Sequence, residues 1–135
     1  MTREIQSVVA IMYGNEEFLI LKKKRTWTGW QFMQGSIDDG EDAETALKRE
    51  IEEETGLTDI EIVKKLPLKY DYWFVKEGEK IHKFLTFFLV KANKKEKIKL
   101  SIEHSEYKWC RYEEVLKDLK YNKDLFEEAY KELKK

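Results

Sequence analysis

The chain has 135 residues, 41% of them hydrophobic and 13% aromatic, which suffices for one hydrophobic core, so we expect a single domain over residues 1–135. Its 26 basic and 27 acidic side chains give a net charge of -1, which excludes a whole-molecule field that attracts nucleic acid or anionic membranes. No extended nucleic-acid surface and no membrane association are therefore expected. The lone Cys110 excludes an internal disulfide, and the early charges and polar residues of the N-terminal segment argue against a signal peptide, so we predict a cytoplasmic protein.

The first part of the chain predicts strands followed by a helix. Residues 5–13 and 18–21 are rich in β-branched and aromatic residues and are joined by hairpin turn chemistry, and 29–34 predicts a short extended segment. Helical periodicity then runs over 42–55, with Asp42 as the N-cap and Gly56 as the C-terminal stop.

The second part of the chain predicts the remaining strands and two helices. Strands are expected over 60–65, 68–75 and 81–92, where Pro67 separates the first two. A further strand over 106–112, a short helix over 113–119 and an amphipathic helix over 124–133 follow. This mixed order favours an α/β fold in which helices cover both faces of a sheet.

The most specific signal lies between two glycines, in residues 35–57. Its fixed residues are Gly35, Glu41, Arg49, Glu50, Glu53, Glu54 and Gly56. On a helix, Glu50, Glu53 and Glu54 fall within an arc of about 100° that Ala46 and Leu47 share, so we expect this acidic face to pack toward the protein. Three neighbouring carboxylates near the negative end of a helix dipole repel one another and need a compensating cation. Oxygen ligands without His or Cys select Mg²⁺ or Mn²⁺.

This pattern is the complete signature of the Nudix hydrolases, which the chain resembles at every fixed position. The resemblance implies the Nudix fold, an α/β/α sandwich with a mixed β-sheet and a loop–helix–loop motif. It also implies Mg²⁺-dependent hydrolysis, with Mn²⁺ as a possible substitute, of a phosphoanhydride bond in a nucleoside diphosphate linked to another group. The implied partner is a small nucleotide or polyphosphate substrate, and the protein is expected to be a monomer or homodimer.

The same resemblance assigns roles within the motif. It implies that Glu50, Glu53 and Glu54 bind the metal, together with a main-chain carbonyl near Gly35, and that one nearby glutamate acts as the general base. Arg49 is expected to orient a glutamate, with Glu41 supporting Arg49 and Gly56 ending the helix. Gly35 is also expected to permit a close turn before the helix.

Further candidates lie outside the motif. Glu103 and His104, followed by an aromatic residue and Trp109, resemble a segment of diadenosine tetraphosphate hydrolases and dihydroneopterin triphosphate pyrophosphatases. By that resemblance Glu103 is an additional metal ligand or the base; otherwise it is a loop glutamate, and His104 is a structural hydrogen-bonding residue. Lys83 opens a strand similar to one whose lysine contacts phosphate in the diadenosine tetraphosphate hydrolases, although it could equally face solvent.

Weaker substrate-binding candidates are defined by residue type alone. Arg25, just before the motif, is a second candidate for phosphate. Trp30, Tyr72 and Phe88 are candidates for stacking against a base or pterin, with core packing as the alternative.

The motif fixes the chemistry and leaves the substrate open. The C-terminal half favours a bis(5'-nucleosyl)-tetraphosphatase, although such enzymes have Pro-Lys where this chain has Met33-Gln34. The run from Trp30 to Gly35 is similar to RNA 5'-pyrophosphohydrolases, and Trp30-Gln31 with Gly35-Ser36 is similar to dihydroneopterin triphosphate pyrophosphohydrolases. The alternative from another functional class is a nucleotide sensor that does not hydrolyse its ligand. Loss of a motif glutamate would mark such a sensor, and every motif glutamate is present.

Overall fold

The computed structural model describes residues 2–24 and 29–135, which form a mixed seven-stranded sheet and three helices. The elements in chain order are β1 (Thr2–Gly14), β2 (Glu17–Lys23), β3 (Trp30–Gln31), β4 (Met33–Ser36), α1 (Ala43–Thr55), β5 (Ile60–Lys76), β6 (Glu79–Ala92), β7 (His104–Cys110), α2 (Tyr112–Asp118) and α3 (Lys123–Leu133). No helix in the described ranges has the length and apolar composition needed to cross a bilayer.

Strand β1 lies at the centre of the sheet. It runs parallel to β6 along almost its whole length, and its other edge pairs antiparallel with β4 and, at the hairpin, with β2. Strand β5 pairs antiparallel with β6, and strands β3 and β7 both pair antiparallel with β2. The sheet is therefore mixed, as the family resemblance implies.

The two faces of the sheet carry two separate cores. Because side chains alternate along a strand, Val8 of β1 packs in one core with Leu47 of α1, whereas its neighbour Val9 packs in the other with Val115 of α2 and Phe126 of α3. Helices thus cover both faces, and the predicted α/β/α sandwich is confirmed.

The predicted break at Pro67 is wrong. The strands expected over 60–65 and 68–75 form one strand, β5, and the pairing register shifts between Lys65 and Lys69. Proline is accommodated because β5 lies at the end of the strand order and the register shift removes the need for a ladder hydrogen bond there. Near the C-terminus, the strand predicted over 106–112 begins earlier, at His104, and ends at Cys110.

Helix α1 has the predicted ends. The Asp42 side chain accepts a hydrogen bond from the backbone N–H of Thr45 at 2.7 Å, which satisfies one of the free donors of the first turn. Gly56 ends the helix in the left-handed conformation, with φ of 75°. The buried Ala46, Leu47 and Ile51 hold the helix against the sheet and thereby fix where its glutamates project.

Candidate active site

Arg49 ties the carboxylates of the motif together. Its Nε and Nη2 donate to the two oxygens of Glu41 at 2.7 and 2.8 Å, and its Nη1 donates to Glu50 at 2.9 Å and to Glu53 at 3.2 Å. Nη2 also donates to the carbonyl of Ser36 at 3.0 Å, which attaches the end of β4 to the helix. The hydrogen bonds from Arg49 lower the pKa of Glu41 to about 2, so Glu41 is ionised throughout the physiological range.

Gly35 is required by a neighbouring side chain. It lies within β4, and a Cβ atom built on it would come closer than 3.0 Å to the Glu50 carboxylate, where real Cβ atoms are essentially never found. Its φ is outside the left-handed region, so the expected role in a close turn is wrong. Glycine is needed because the Glu50 carboxylate occupies the space that any other side chain would fill.

The three motif glutamates at the end of α1 differ in their environment. The side chains of Glu50 and Glu54 are 13% and 10% exposed, whereas that of Glu53 is 55% exposed. The expectation that the whole acidic face packs toward the protein is therefore wrong for Glu53, because an arc of about 100° extends past the edge of the packed surface. Burial raises the pKa of Glu50, and the nearby carboxylates act in the same direction against the opposing effect of Arg49.

Glu54 is joined to the start of β7 and to the turn before it. The Ser101 hydroxyl donates to Oε2 of Glu54 at 2.7 Å, and His104 Nδ1 lies 2.9 Å from the same oxygen. The backbone N–H of Glu103 in turn donates to the Ser101 hydroxyl at 3.3 Å. The predicted Glu103 and the predicted structural His104 thus lie beside the end of α1, although they are about fifty residues away in sequence.

These residues fit a hard divalent cation. Within residues 2–24 and 29–135, no three or more His, Cys, Asp or Glu side chains are already grouped as a metal site. The reason is local: Arg49 Nη1 bridges Glu50 and Glu53, and Glu54 turns toward Ser101 and His104. The donors are nevertheless all oxygens, and the Glu50 carboxylate lies in direct contact with the main chain of β4 at Gly35. Such a donor set suits Mg²⁺ or Mn²⁺.

A cavity of about 410 Å³ lies on the sheet face opposite α1. Its lining residues are Val9, Lys23, Gln31, Phe32, Gln34, Tyr70, Tyr72, Lys83, Leu85, Tyr121 and Asn122. The lining thus includes two aliphatic side chains, three tyrosines and three amide side chains. A larger hollow of about 580 Å³ lies at the far end of the sheet and contains none of the predicted site residues. The smaller cavity combines aromatic, amide and aliphatic side chains, which suits a small ligand that is partly apolar and partly polar.

Two lysines give this cavity positive charge. Burial, and to a lesser extent the charge of Lys23, lower the pKa of Lys83 to about 8. In the described part of the chain neither ammonium has a carboxylate within ion-pair distance. Lys23 is also the register partner of His104 between β2 and β7. Burial is the main cause of the lowered pKa of His104, and the charge of Lys23 lowers that pKa as well. Lys23 therefore adjoins both the cavity and His104, which contacts Glu54.

The predicted stacking residues occupy different places. Tyr72 lines the cavity, as does Lys83. Phe88 is only 2% exposed and is a core residue rather than a stacking residue, because the alternation of β6 turns it toward α1. Trp30 lies outside the cavity lining, and its ring has Lys108 Nζ at 4.5 Å and Lys22 Nζ at 6.0 Å. Arg25 lies outside the described residues.

Sequence reasoning missed Lys23 and Tyr70. Tyr70 could have been found by alternation, since it stands two residues before Tyr72 on the same strand face. Lys23 gave no such signal, because the register of β2 with β7 shifts between Lys22 and Lys23 and simple alternation does not place its side chain.

The chain is similar to known proteins in both sequence and fold. The NUDIX domain profile matches residues 3–130. The chain is similar to an RNA pyrophosphohydrolase of Sulfurovum sp. (strain NBC37-1), with 34% identity over 79% of this chain and 74% of the relative. It is also similar to the asymmetrical bis(5'-nucleosyl)-tetraphosphatase of Caenorhabditis elegans, with 30% identity over 80% of this chain and 77% of the relative. Among solved structures, a C. elegans Ap4A hydrolase binary complex superposes with a TM-score of 0.79 and 26% identity over 96% of this chain and 97% of that one.

Proposed function

Because the chain belongs to the Nudix family and is a pyrophosphohydrolase of that family, we propose that its substrates are dinucleoside polyphosphates such as diadenosine tetraphosphate. One observation carries this proposal: Lys23 adjoins both the tyrosine-lined cavity and the cluster around Glu54. A nucleoside bound in the cavity would extend its phosphates past Lys23 toward the carboxylates. The reacting bond then lies at the carboxylate cluster, away from the nucleobase.

The cavity residues divide the substrate between them. Tyr72 and Tyr121 offer aromatic surface for the nucleobase. Lys83 and Lys23 offer ammonium groups for the phosphates attached to the same nucleoside. The low dielectric of a partly buried cavity strengthens the attraction between an ammonium group and a phosphate. Arg25 remains a candidate for the same phosphates.

The helix residues act at the bond that breaks. Glu50, Glu53, Glu54 and the main chain near Gly35 would hold Mg²⁺, with Mn²⁺ as a substitute. When bound, such an ion neutralises phosphate oxygens and makes a bound water more acidic. Arg49 orients Glu50 and Glu53, and Glu41 holds Arg49 in place. Glu103 serves as an additional ligand or as the base that takes the proton of the attacking water.

A substrate panel with product analysis tests the proposal. It compares diadenosine tetraphosphate, nucleoside triphosphates, dihydroneopterin triphosphate and 5'-triphosphorylated RNA, each with Mg²⁺ and with Mn²⁺. We expect the highest kcat/KM for diadenosine tetraphosphate, with mononucleotides as products. If no substrate is cleaved with either metal while nucleotides still bind, the protein is a nucleotide sensor instead.

RNA 5'-pyrophosphohydrolysis is the second candidate. It is favoured by the identity to RNA pyrophosphohydrolases and by Gln31 and Gln34, which belong to the similar segment and also line the cavity. Amide side chains can form paired hydrogen bonds with a base edge, as a terminal nucleotide would require. A higher kcat/KM for triphosphorylated RNA than for diadenosine tetraphosphate would select this candidate.

A further inference from the structure

Among residues 2–24 and 29–135, the polar side-chain contacts made to the Glu54 carboxylate all involve one of its oxygens. Oε2 accepts from the Ser101 hydroxyl at 2.7 Å and lies 2.9 Å from His104 Nδ1. A carboxylate oxygen only accepts, so Nδ1 must carry the proton in this contact. The side chains of His104 and Glu54 are 4% and 10% exposed, so little water reaches the contact between them.

The other oxygen of Glu54 is left for a ligand. In residues 2–24 and 29–135, no hydrogen bond reaches Oε1 and no lysine or arginine forms an ion pair with Glu54. Glu54 differs in this from Glu50 and Glu53, which both contact Arg49. The Ser101–His104 pair is thus what sets the orientation of this carboxylate.

The segment that carries the Ser101–His104 pair is attached to the protein by main-chain bonds as well. Lys99 donates its backbone N–H to the carbonyl of Thr55 at 2.8 Å, and Ser101 donates to that of Glu54 at 3.2 Å. Lys24 donates to the carbonyl of Glu103 at 2.9 Å. Because these bonds do not involve side chains, the segment can stay in place when the side chains of the pair are changed.

We infer that Ser101 and His104 are positioning residues that hold Oε2 of Glu54 so that Oε1 faces the divalent cation, and that fix Glu103 beside it. The inference rests on the proposed metal-dependent function. Partners that hold the far side of a metal ligand typically change metal affinity 10–100-fold when they are removed.

Isosteric variants of His104 separate positioning from packing. The amide of asparagine can place an N–H near the Nδ1 position, whereas glutamine places it near the Nε2 position. Mn²⁺ binding to the substrate-free protein is measured by electron paramagnetic resonance or calorimetry, and Tm is measured in EDTA. We expect His104→Gln to weaken Mn²⁺ binding about tenfold and His104→Asn to weaken it less than about threefold. Ser101→Ala should weaken binding several-fold, while Ser105→Ala, a neighbouring serine without contact to Glu54, should not.

Three results would overturn the positioning role. The first is wild-type Mn²⁺ affinity in both His104→Gln and Ser101→Ala. The second is an equal loss of Mn²⁺ affinity in the two His104 variants, together with an equal fall of Tm in EDTA. The third is the absence of Mn²⁺ binding by the wild-type protein without substrate. If His104→Gln does not fold, Ser101→Ala against Ser105→Ala decides the question. Hydrolysis of the substrate panel is a separate readout, so a protein that binds Mn²⁺ with the expected differences but cleaves nothing would refute only the proposed function.

Discussion

Arg49 and Glu41 form a two-pronged ion pair, in which Nε and Nη2 of the guanidinium donate to the two carboxylate oxygens at 2.7 and 2.8 Å. The contact leaves Nη1 directed at Glu50 and Glu53, so the position of one arginine determines the position of two carboxylates. A planar fork of this kind fixes orientation as well as charge.

Arg49→Lys should therefore impair catalysis although it keeps the charge. A lysine ammonium is a point charge and cannot contact Glu41, Glu50 and Glu53 with the same geometry. We expect kcat/KM to fall about 100-fold, since small misplacements of catalytic groups have effects of this size. Lys48→Met, a change at an exposed neighbour on α1, is the control and should leave kcat/KM unchanged. Near-normal turnover by Arg49→Lys would show that the fork is not needed.

Gly35→Ala should displace Glu50. The new methyl group would overlap the Glu50 carboxylate, which must move away from β4. We expect about a 100-fold loss of kcat/KM, together with weaker Mn²⁺ binding. Gly78→Ala is the control, since its φ of 77° makes alanine unfavourable but nothing lies within 4 Å of the added atom. It should lower stability by about 1 kcal/mol and leave kcat/KM intact. Full activity of Gly35→Ala would contradict the proposed place of Glu50.

Lys83 should give the reaction an alkaline limit. Its pKa of about 8 means that the ammonium is charged below that pH and loses its charge above it. The kcat/KM for diadenosine tetraphosphate should therefore fall as the pH rises through about 8, because this parameter reports on the free enzyme. Lys83→Met should have a lower kcat/KM and lack this fall, whereas Lys65→Met, at an exposed position of β5, should keep the wild-type profile. An identical alkaline limb in all three proteins would exclude Lys83 as its origin.

Local sequence signals predicted the elements that carry the site. The N-cap at Asp42 and the end of α1 at Gly56 both follow from short-range patterns, and the structure confirms them. Pro67 misled the prediction because its effect depends on where the strand lies in the sheet, which short-range patterns do not contain.

Contacts between distant segments were harder to predict. The motif identified Arg49 and the glutamates, but the exposure of Glu53 depends on the edge of the packed surface rather than on helical spacing. The hydrogen bond between Ser101 and Glu54 joins residues that no periodicity relates. Lys23 is placed at a register shift of the sheet, which a sequence pattern does not reveal. The family motif thus predicted the chemistry better than it predicted the substrate cavity.

The charge of Glu53 provides the most direct test of metal-dependent phosphoanhydride hydrolysis on α1. Initial rates for diadenosine tetraphosphate with Mg²⁺ are compared between the wild-type protein, Glu53→Gln and the matched control Glu52→Gln, whose side chain points away on the same helix. We expect Glu53→Gln to fold normally and lose at least about 100-fold in kcat, Glu52→Gln to retain wild-type activity, and EDTA to abolish the wild-type activity. Normal turnover by Glu53→Gln, or wild-type activity that persists in EDTA, would contradict the assignment.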